Sequence, residues 1–362
     1  MRKYYIDNIR WVIIILVVIH HVVCIFNSTG VVLNFNAPGI PALDVFAYFV
    51  YPWFMPCMFL IGGMSARYSL NRRTNKQFLV ERVNKLLIPF LIGMLIIAPL
   101  VGIFTFNANG WSGIASLPKV IKGLIIMASG MGPLWFLIEM FLISIIFLII
   151  KSLDKKDKLL ALASKANIWI LLFLYIPCLG CAQILNFMYT FRNGLFMILF
   201  LLGYFVFSHD KVQEELEKHN VILLITAVVL FLIEIQRFWG KSFADLEVIN
   251  NYLVFLYGWV MILAVIGNFK AYFNYTTRFT KYIGSRSFLI YIFHYLPMNI
   301  IAYCIITYLK LPIILNYVLV LILSFGVTII ICEVVYKIPG VRFLFGIRKN
   351  NIKSLNVDKP II

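Results

Sequence analysis

The sequence predicts an all-α, polytopic integral membrane protein with about ten transmembrane helices and both termini in the cytoplasm. Composition, the spacing of the apolar runs and the placement of the basic residues carry this reading. Of 362 residues, 62% are hydrophobic and 13% charged, with a mean hydropathy of +0.93. Soluble domains run at about 45–50% apolar and about 25% charged, so soluble enzymes, nucleic-acid-binding proteins and disordered chains are excluded. A membrane β-barrel alternates in segments of about ten residues. Here the apolar runs are long and continuous, with 13 prolines and 21 glycines inside or between them.

Ten stretches have the length and apolar content of a spanning helix, about 17–25 residues. They cover 9–27, 43–65, 86–106, 133–150, 168–186, 192–208, 221–236, 251–268, 284–308 and 313–336. With the N-terminus inside, 25 Lys and Arg fall in cytoplasmic segments and six outside, and Arg10 lies within the first helix. Basic residues collect on the cytoplasmic side of membrane proteins, which sets the orientation. The first run resembles a secretory leader but lacks a small-residue cleavage site and is followed by nine more runs, so it is read as a retained helix. One membrane domain is expected over 1–346 and a basic, disordered or lipid-bound cytoplasmic tail over 347–362. Within the membrane domain, 107–132 is Gly-rich and only partly apolar, with an amphipathic piece near 119–127 at the outer face. The six cysteines fall almost entirely in apolar runs. Cys178 and Cys181 form a CxxC with no second pair at metal-ligand spacing, so they are read as buried apolar side chains and no metal site is expected.

Ionisable groups at bilayer depth are costly and mark function. Arg10 and His21 are eleven residues apart, three helical turns plus about 20°, so they share a face with His21 about 16 Å deeper. His20 points some 80° away from Arg10, at about 100° per residue. In Ser287-Phe-Leu-Ile-Tyr291-Ile-Phe-His294 the spacing i, i+4, i+7 aligns Ser287, Tyr291 and His294 as one polar stripe on a continuous helix. Glu139 follows Trp135-Phe136 on an antiparallel span at comparable depth. Two imidazoles and a carboxylate on three helices could converge on one site, or simply tie helices together. Glu234, Glu333 and Asp44 lie near helix ends and are expected to be interfacial or orienting.

These residues resemble the acyltransferase-3 family of bacterial membrane acyltransferases. Ile6-Asp7-Asn8-Ile9-Arg10 with His21 is similar to its Arg-x10-His signature. Phe59 to Ala66, Arg82-Val-Asn-Lys85-Leu-Leu-Ile-Pro89, Leu134-Trp135-Phe136 and the Ser287-to-His294 stripe resemble further family segments in order. Pro339-Gly-Val-Arg342-Phe-Leu-Phe-Gly346 resembles its glucan-modifying branch. Glu81 and Lys85 stand where the family's basic element often has arginines, and Gly63-Met64 replaces the usual Gly-aromatic pair.

The resemblance implies a multi-pass protein of the bacterial inner (plasma) membrane. It would move an acyl group, acetyl or succinyl, from cytoplasmic acyl-CoA to a hydroxyl of an extracytoplasmic carbohydrate. It implies no permanently bound cofactor, acetyl-CoA or succinyl-CoA as donor substrate, and as partners the glycan acceptor and the lipid bilayer, without nucleic acid. His21 would serve as general base or transient acyl carrier, and Arg10 would hold the CoA phosphates or the pantetheine arm. Arg67, Arg72, Arg73, Arg82 and Lys85 would form a basic apron for the nucleotide, with Ser287 also contacting the donor. Tyr291 or His294 would polarise the thioester carbonyl, and Glu139 would orient an imidazole. A transporter or flippase of a glycan precursor is the competing class, since it too carries buried ionisable groups.

Overall fold

The computed structural model describes residues 2–30, 35–154, 157–184, 186–187 and 191–347. Apart from one antiparallel pair, Asn186–Phe187 against Phe191–Arg192, the regular structure among them is helical. In chain order the main helices are α1 (Tyr4–Ile25), α2 (Pro41–Leu70), α3 (Asn75–Asn109), α4 (Lys119–Ser129), α5 (Gly132–Leu153), α6 (Ile168–Ala182) and α7 (Asn193–Phe207). Then follow α8 (Asp210–Lys218), α9 (Asn220–Phe238), α10 (Tyr252–Tyr272), α11 (Arg278–Phe293), α12 (Tyr295–Leu309) and α13 (Ile313–Lys337).

Seven of these, α1, α2, α3, α5, α9, α10 and α13, are long and apolar enough to cross a membrane. The pairs α7/α8 and α11/α12 are bent by 97° and 58°, and counting each as one span gives nine. Every apolar stretch of the sequence therefore has a helical counterpart, but three are not straight spans. α6 stops at Ala182, short of a full crossing. The 192–208 stretch ends at Phe207, where the chain turns into the charged helix Asp-Lys-Val-Gln-Glu-Glu-Leu-Glu-Lys. The 284–308 stretch, expected as one helix, breaks at His294. Pro297 has no N–H to give the Phe293 carbonyl, so the α-helical ladder cannot run through the bend. The expected tail lies outside the described residues beyond Ile347. The expected amphipathic piece is α4, none of whose residues is buried.

By packing, the described residues divide into two compact units. The first draws on residues 1–34, 38–78 and 142–276, and the second on 35–37, 79–141 and 277–362.

In the first unit, glycine sets how closely helices approach. A Cβ at Gly63 would lie 1.9 Å from the Phe200 carbonyl oxygen, and one at Gly203 would lie 1.9 Å from that of Leu60. α2 and α7 thus meet backbone to backbone, as small residues allow between membrane helices. Phe59 and Phe196 stack beside this contact at 4.4 Å and 13°. α2 itself is interrupted at 51–53, where Pro52 cannot donate. The Trp53 N–H turns to the Val50 carbonyl at 3.2 Å, and the Phe49 carbonyl it leaves accepts from Trp53 Nε1 at 2.6 Å and the Tyr257 hydroxyl at 2.7 Å. Asn8 donates to the carbonyls of Phe273 (2.7 Å) and Tyr275 (3.0 Å), fastening α1 to the chain that leaves α10. Outside the spans, Lys3 pairs with Asp210 and bonds Gln213. The Lys3 ammonium holds the Asp210 carboxyl below its ordinary range, so this tie persists at neutral pH and weakens only as acid protonates the carboxylate. Glu234, expected near an interface, is 1% exposed inside this unit.

In the second unit, α3 carries two π-helical turns, Val83–Leu87 and Gly93–Ile97. Each precedes a proline (Pro89, Pro99) whose missing N–H loosens the preceding turn. α4 lies on α3 through Gly102 and Gly130, where an added Cβ would come within 2 Å of the Ile126 and Ala98 carbonyl oxygens. Arg286 on α11 pairs with Glu333 on α13 at 2.9 Å and lies 3.8 Å from the centre of the Tyr336 ring. All six cysteines are free; Cys24, Cys57, Cys178 and Cys332 are buried as expected, whereas Cys181 is half-buried and Cys304 exposed.

Gly63→Ala and Gly203→Ala should each lose about 1–3 kcal/mol of stability from overpacking. Gly326→Ala on α13 meets nothing within 4 Å and should be neutral or slightly stabilising. Thermal unfolding of detergent-purified variants measures this, and equal melting of Gly63→Ala and Gly326→Ala would contradict the close approach.

Candidate functional site

The first cluster lies near the N-terminal end of α1. Helical spacing places Asp7 one turn before Arg10, and Asp7 Oδ1 accepts from Arg10 Nη1 at 2.8 Å. Asp7 Oδ2 accepts from Arg2 Nε at 3.1 Å and Nη2 at 2.8 Å, so one carboxylate carries two guanidinium groups. On its other side Arg10 Nη2 donates to Ser65 Oγ on α2, and Ser65 donates to the Ile61 carbonyl at 2.7 Å. The guanidinium is thus clamped from two helices. Five N–H donors make a planar fork; the clamp uses two, and the half-buried side chain keeps others for an anionic ligand. Ser65 lies in the segment whose departure from the family pattern is Gly63-Met64, and Gly63 is what brings α7 against that stretch.

His21, on the same helix, is half-buried, with its ring 5.7 Å from that of His20. His20 is buried among the rings of Tyr51, Phe54 and Phe243 at 5.9, 5.1 and 5.4 Å. The two adjacent imidazoles therefore occupy different surroundings, as the helical angle between them requires. Arg67 lies 5.6 Å from the Tyr204 ring centre and bonds its hydroxyl at 3.4 Å. Arg72 and Arg73 are exposed in the turn after α2.

The second cluster, in the second unit, is built on the turn that opens α5. Gly132 has φ +45° with the Tyr295 ring where a Cβ would be, so only glycine fits. The 3-10 turn Gly132–Leu134 then leads into Trp135. The Tyr291 hydroxyl donates to the Pro133 carbonyl, and Phe136 stands edge-on to Tyr291 at 5.6 Å and 67°. His294, 0% exposed, ends α11 at the bend. Its Nδ1 lies 3.0 Å from the Ile290 carbonyl oxygen and 2.9 Å from that of Tyr291. These acceptors place the proton of a neutral ring on Nδ1 and the lone pair on Nε2.

Along the expected polar stripe, Tyr291 and His294 lie 6.1 Å apart between ring centres. The Tyr291 hydroxyl donates to the Pro133 carbonyl, and His294 Nδ1 faces two helix carbonyls. Ser287 donates to the Gly284 carbonyl at 2.9 Å within its own helix. Glu139 is half-buried on α5. Arg82 is half-buried near the start of α3, and Lys85 is already paired with Glu81 at 2.7 Å. Within units, the structure thus joins Arg10 to Asp7 and Ser65, and Tyr291 to His294 and Pro133. Asp7 enters the sequence pattern only as part of the Ile6-to-Arg10 motif, and its i, i+3 spacing to Arg10 is the signal for this pair. The Pro133 carbonyl carried no sequence signal, because its partner lies 158 residues away. No group of three or more His, Cys, Asp or Glu among the described residues is placed to hold a metal ion.

Comparison with known proteins extends these geometries. Glucans biosynthesis protein C of Escherichia coli O139:H28 is 22% identical over 387 residues, covering 98% of this chain and 97% of the relative. The protein of the same name from Escherichia coli O9:H4 matches to the same extent. No solved structure matches the chain. The acyltransferase-3 family model, described as an acyltransferase domain, matches residues 3–336. That match takes in α1 with the clamped Arg10 and His21 as well as α11 with Tyr291 and His294, and this multi-pass membrane chain belongs to the acyltransferase-3 family and is an acyltransferase.

Proposed function

We propose that the enzyme transfers an acyl group, acetyl or succinyl, from cytoplasmic acyl-CoA to a hydroxyl of an extracytoplasmic glucan-type carbohydrate. One observation carries the reading: an arginine clamped by Asp7 and Ser65 stands eleven residues before His21 on one helix. The relatives, glucans biosynthesis protein C of Escherichia coli, support a glucan acceptor, and the 25-to-6 distribution of basic residues supports ten spans with both termini cytoplasmic. In that orientation Arg10 faces the cytoplasmic side of a bacterial inner membrane and His21 lies deeper.

The residues suit the chemistry. The donor's phosphates and carbonyl-rich arm meet Arg10, whose remaining donors are oriented by the clamp rather than by the ligand. Arg67, Arg72 and Arg73, in the same unit as Arg10, add positive charge for the nucleotide. A sugar hydroxyl is a weak nucleophile, and His21 takes its proton as its oxygen attacks the thioester carbon. The carbon–sulfur bond then breaks, and the CoA thiolate recovers a proton from the imidazolium. If His21 instead carries the acyl group, its nitrogen attacks the thioester carbon, the carbon–sulfur bond breaks and CoA thiolate leaves; the sugar hydroxyl then attacks the acyl-imidazole, the carbon–nitrogen bond breaks and the freed imidazole takes the hydroxyl proton. Tyr291, His294 and Pro133 set the turn from which Glu139 projects, a positioning role.

Thiol release from acetyl-CoA by detergent-purified protein, with a mixed glycan pool, tests the reading. His21→Ala should lower kcat about 10²–10⁴-fold while CoA binding survives; unchanged release would remove His21 from the chemistry. Intersecting rather than parallel double-reciprocal lines would identify the base, and parallel lines the acyl carrier.

Arg10→Lys, a point charge without the fork, should raise the KM for acyl-CoA about tenfold with less effect on kcat. Asp7→Asn should move KM in the same direction. A normal KM in both would take Arg10 out of donor binding.

Tyr291→Phe releases the Pro133 carbonyl and should lower kcat roughly 10–100-fold through misplacement, with little change in either KM. A Tyr291→Phe enzyme at wild-type rate would reduce that bond to packing.

A further inference from the structure

The proposed chemistry leaves His20 unused, although its surroundings are as constructed as those of Arg10. His20 is 5% exposed and sits among three rings from two other stretches of chain: Tyr51 stacked at 5.9 Å, with Phe54 and Phe243 edge-on at 5.1 and 5.4 Å. Tyr51 and Phe243 also meet at 5.1 Å. The His20 Nε2 lies 3.4 Å from Cys24 Sγ, while its Nδ1 is buried without a hydrogen-bond partner.

A second buried atom nearby shares that condition. Asp44, at the start of α2, gives Oδ2 to the backbone N–H of Ser28 at 3.0 Å and to the Ser28 hydroxyl at 2.5 Å. Its Oδ1 is buried and has no partner. Asp44 is within electrostatic range of Cys24, and Arg192 is within range of Tyr51. Arg192 is 7% exposed; it donates to the Ile249 carbonyl at 2.9 Å and lies 4.9 Å from the Phe255 ring centre. All these residues belong to the first unit.

Folded proteins leave few buried polar atoms unbonded, and each exception asks for a ligand or a function. The chemistry of this set is specific. Nδ1 is a donor or an acceptor according to the tautomer that Cys24 selects, and a hydroxyl answers either. Asp44 Oδ1 accepts from a hydroxyl, and the guanidinium gives to one. An apolar, aromatic wall with a few converging polar atoms is the usual make-up of a small-molecule site. Tyr51 is only half-buried, and an aromatic ring suits C–H groups. A ring with an apolar face and equatorial hydroxyls, a pyranose, satisfies all four.

We propose that this cluster is a saccharide subsite for the acceptor: a pyranose stacks on Tyr51 while His20 Nδ1, Asp44 Oδ1 and Arg192 bond its hydroxyls. The inference rests on the carbohydrate acceptor proposed above and names where one of its rings is held. The subsite lies toward the C-terminal end of α1, which is the extracytoplasmic end in the proposed orientation. His20 thus recognises sugar, and its neighbour His21 acts on the transferred group.

The test is direct binding of sophorose and gentiobiose to the full-length protein in lipid nanodiscs, read by saturation-transfer NMR. Tyr51→Leu and His20→Phe should each weaken binding about tenfold or more, whereas Tyr51→Phe keeps the ring and should stay within about twofold of wild type. His20→Phe fills the aromatic cage, so it reports on Nδ1 even if Tyr51→Leu fails to fold. Acyl-CoA binding, measured on the same samples, should be unchanged. Undiminished sugar binding in Tyr51→Leu or His20→Phe would overturn the site, and so would a wild-type protein that binds neither disaccharide. Thiol release to a non-saccharide hydroxyl without sugar binding would overturn the subsite and leave acyl transfer standing. Sugar binding that fails in the variants, with no acyl transfer by the wild type, would support the subsite and remove the proposed reaction.

Discussion

Hydrocarbon offers no hydrogen bonds, so a backbone carbonyl or charged side chain placed in it must find its partner within the chain. The structure of this acyltransferase depends on that constraint at each departure from regular helix. Where α2 is interrupted at 51–53, the Trp53 N–H bonds the Val50 carbonyl, and the Phe49 carbonyl it leaves is taken by Trp53 Nε1 and the Tyr257 hydroxyl. Where α11 ends, the His294 ring covers the carbonyls of Ile290 and Tyr291. Asn8 does the same for the carbonyls of Phe273 and Tyr275. The functional helices are therefore positioned by polar side chains that answer defects in other helices.

The same constraint explains why Arg10 is clamped. A guanidinium on an apolar helix is costly unless paired, and Asp7 one turn earlier neutralises it while Ser65 fixes its plane. Ser65 can do so because Gly63 lets α2 pack tightly with α7, holding that face of the helix in place. A residue without a side chain thus supports the geometry of the longest one. For a binding group this matters: donors that are ordered before the ligand arrives lose less freedom when it binds.

Two adjacent histidines illustrate how a helix separates roles. About 100° of rotation per residue places His20 in an aromatic cage, while the next position leaves His21 half-buried on the face of Arg10. Identical chemistry at neighbouring positions is thus given different surroundings by helical rotation alone.

The sequence by itself determined the membrane class, the helical content, the apolar stretches and the eleven-residue spacing of Arg10 and His21, because composition and helical periodicity are local quantities. It also determined the stripe of Ser287, Tyr291 and His294, whose spacing needs no tertiary partner. Only the tertiary structure decided that α11 breaks at His294, that α7 turns sharply into a charged helix, and that Tyr291 spends its proton on Pro133. Glu234 near a helix end could not be placed from sequence, since its burial depends on which neighbours cover it. Asp7 lay between these cases: its spacing to Arg10 was local, but its second cation, Arg2, and the opposing Ser65 were fixed by folding. Contacts across 55 residues for Arg10 and 158 for Tyr291 arise from packing, on which local pattern carries no information.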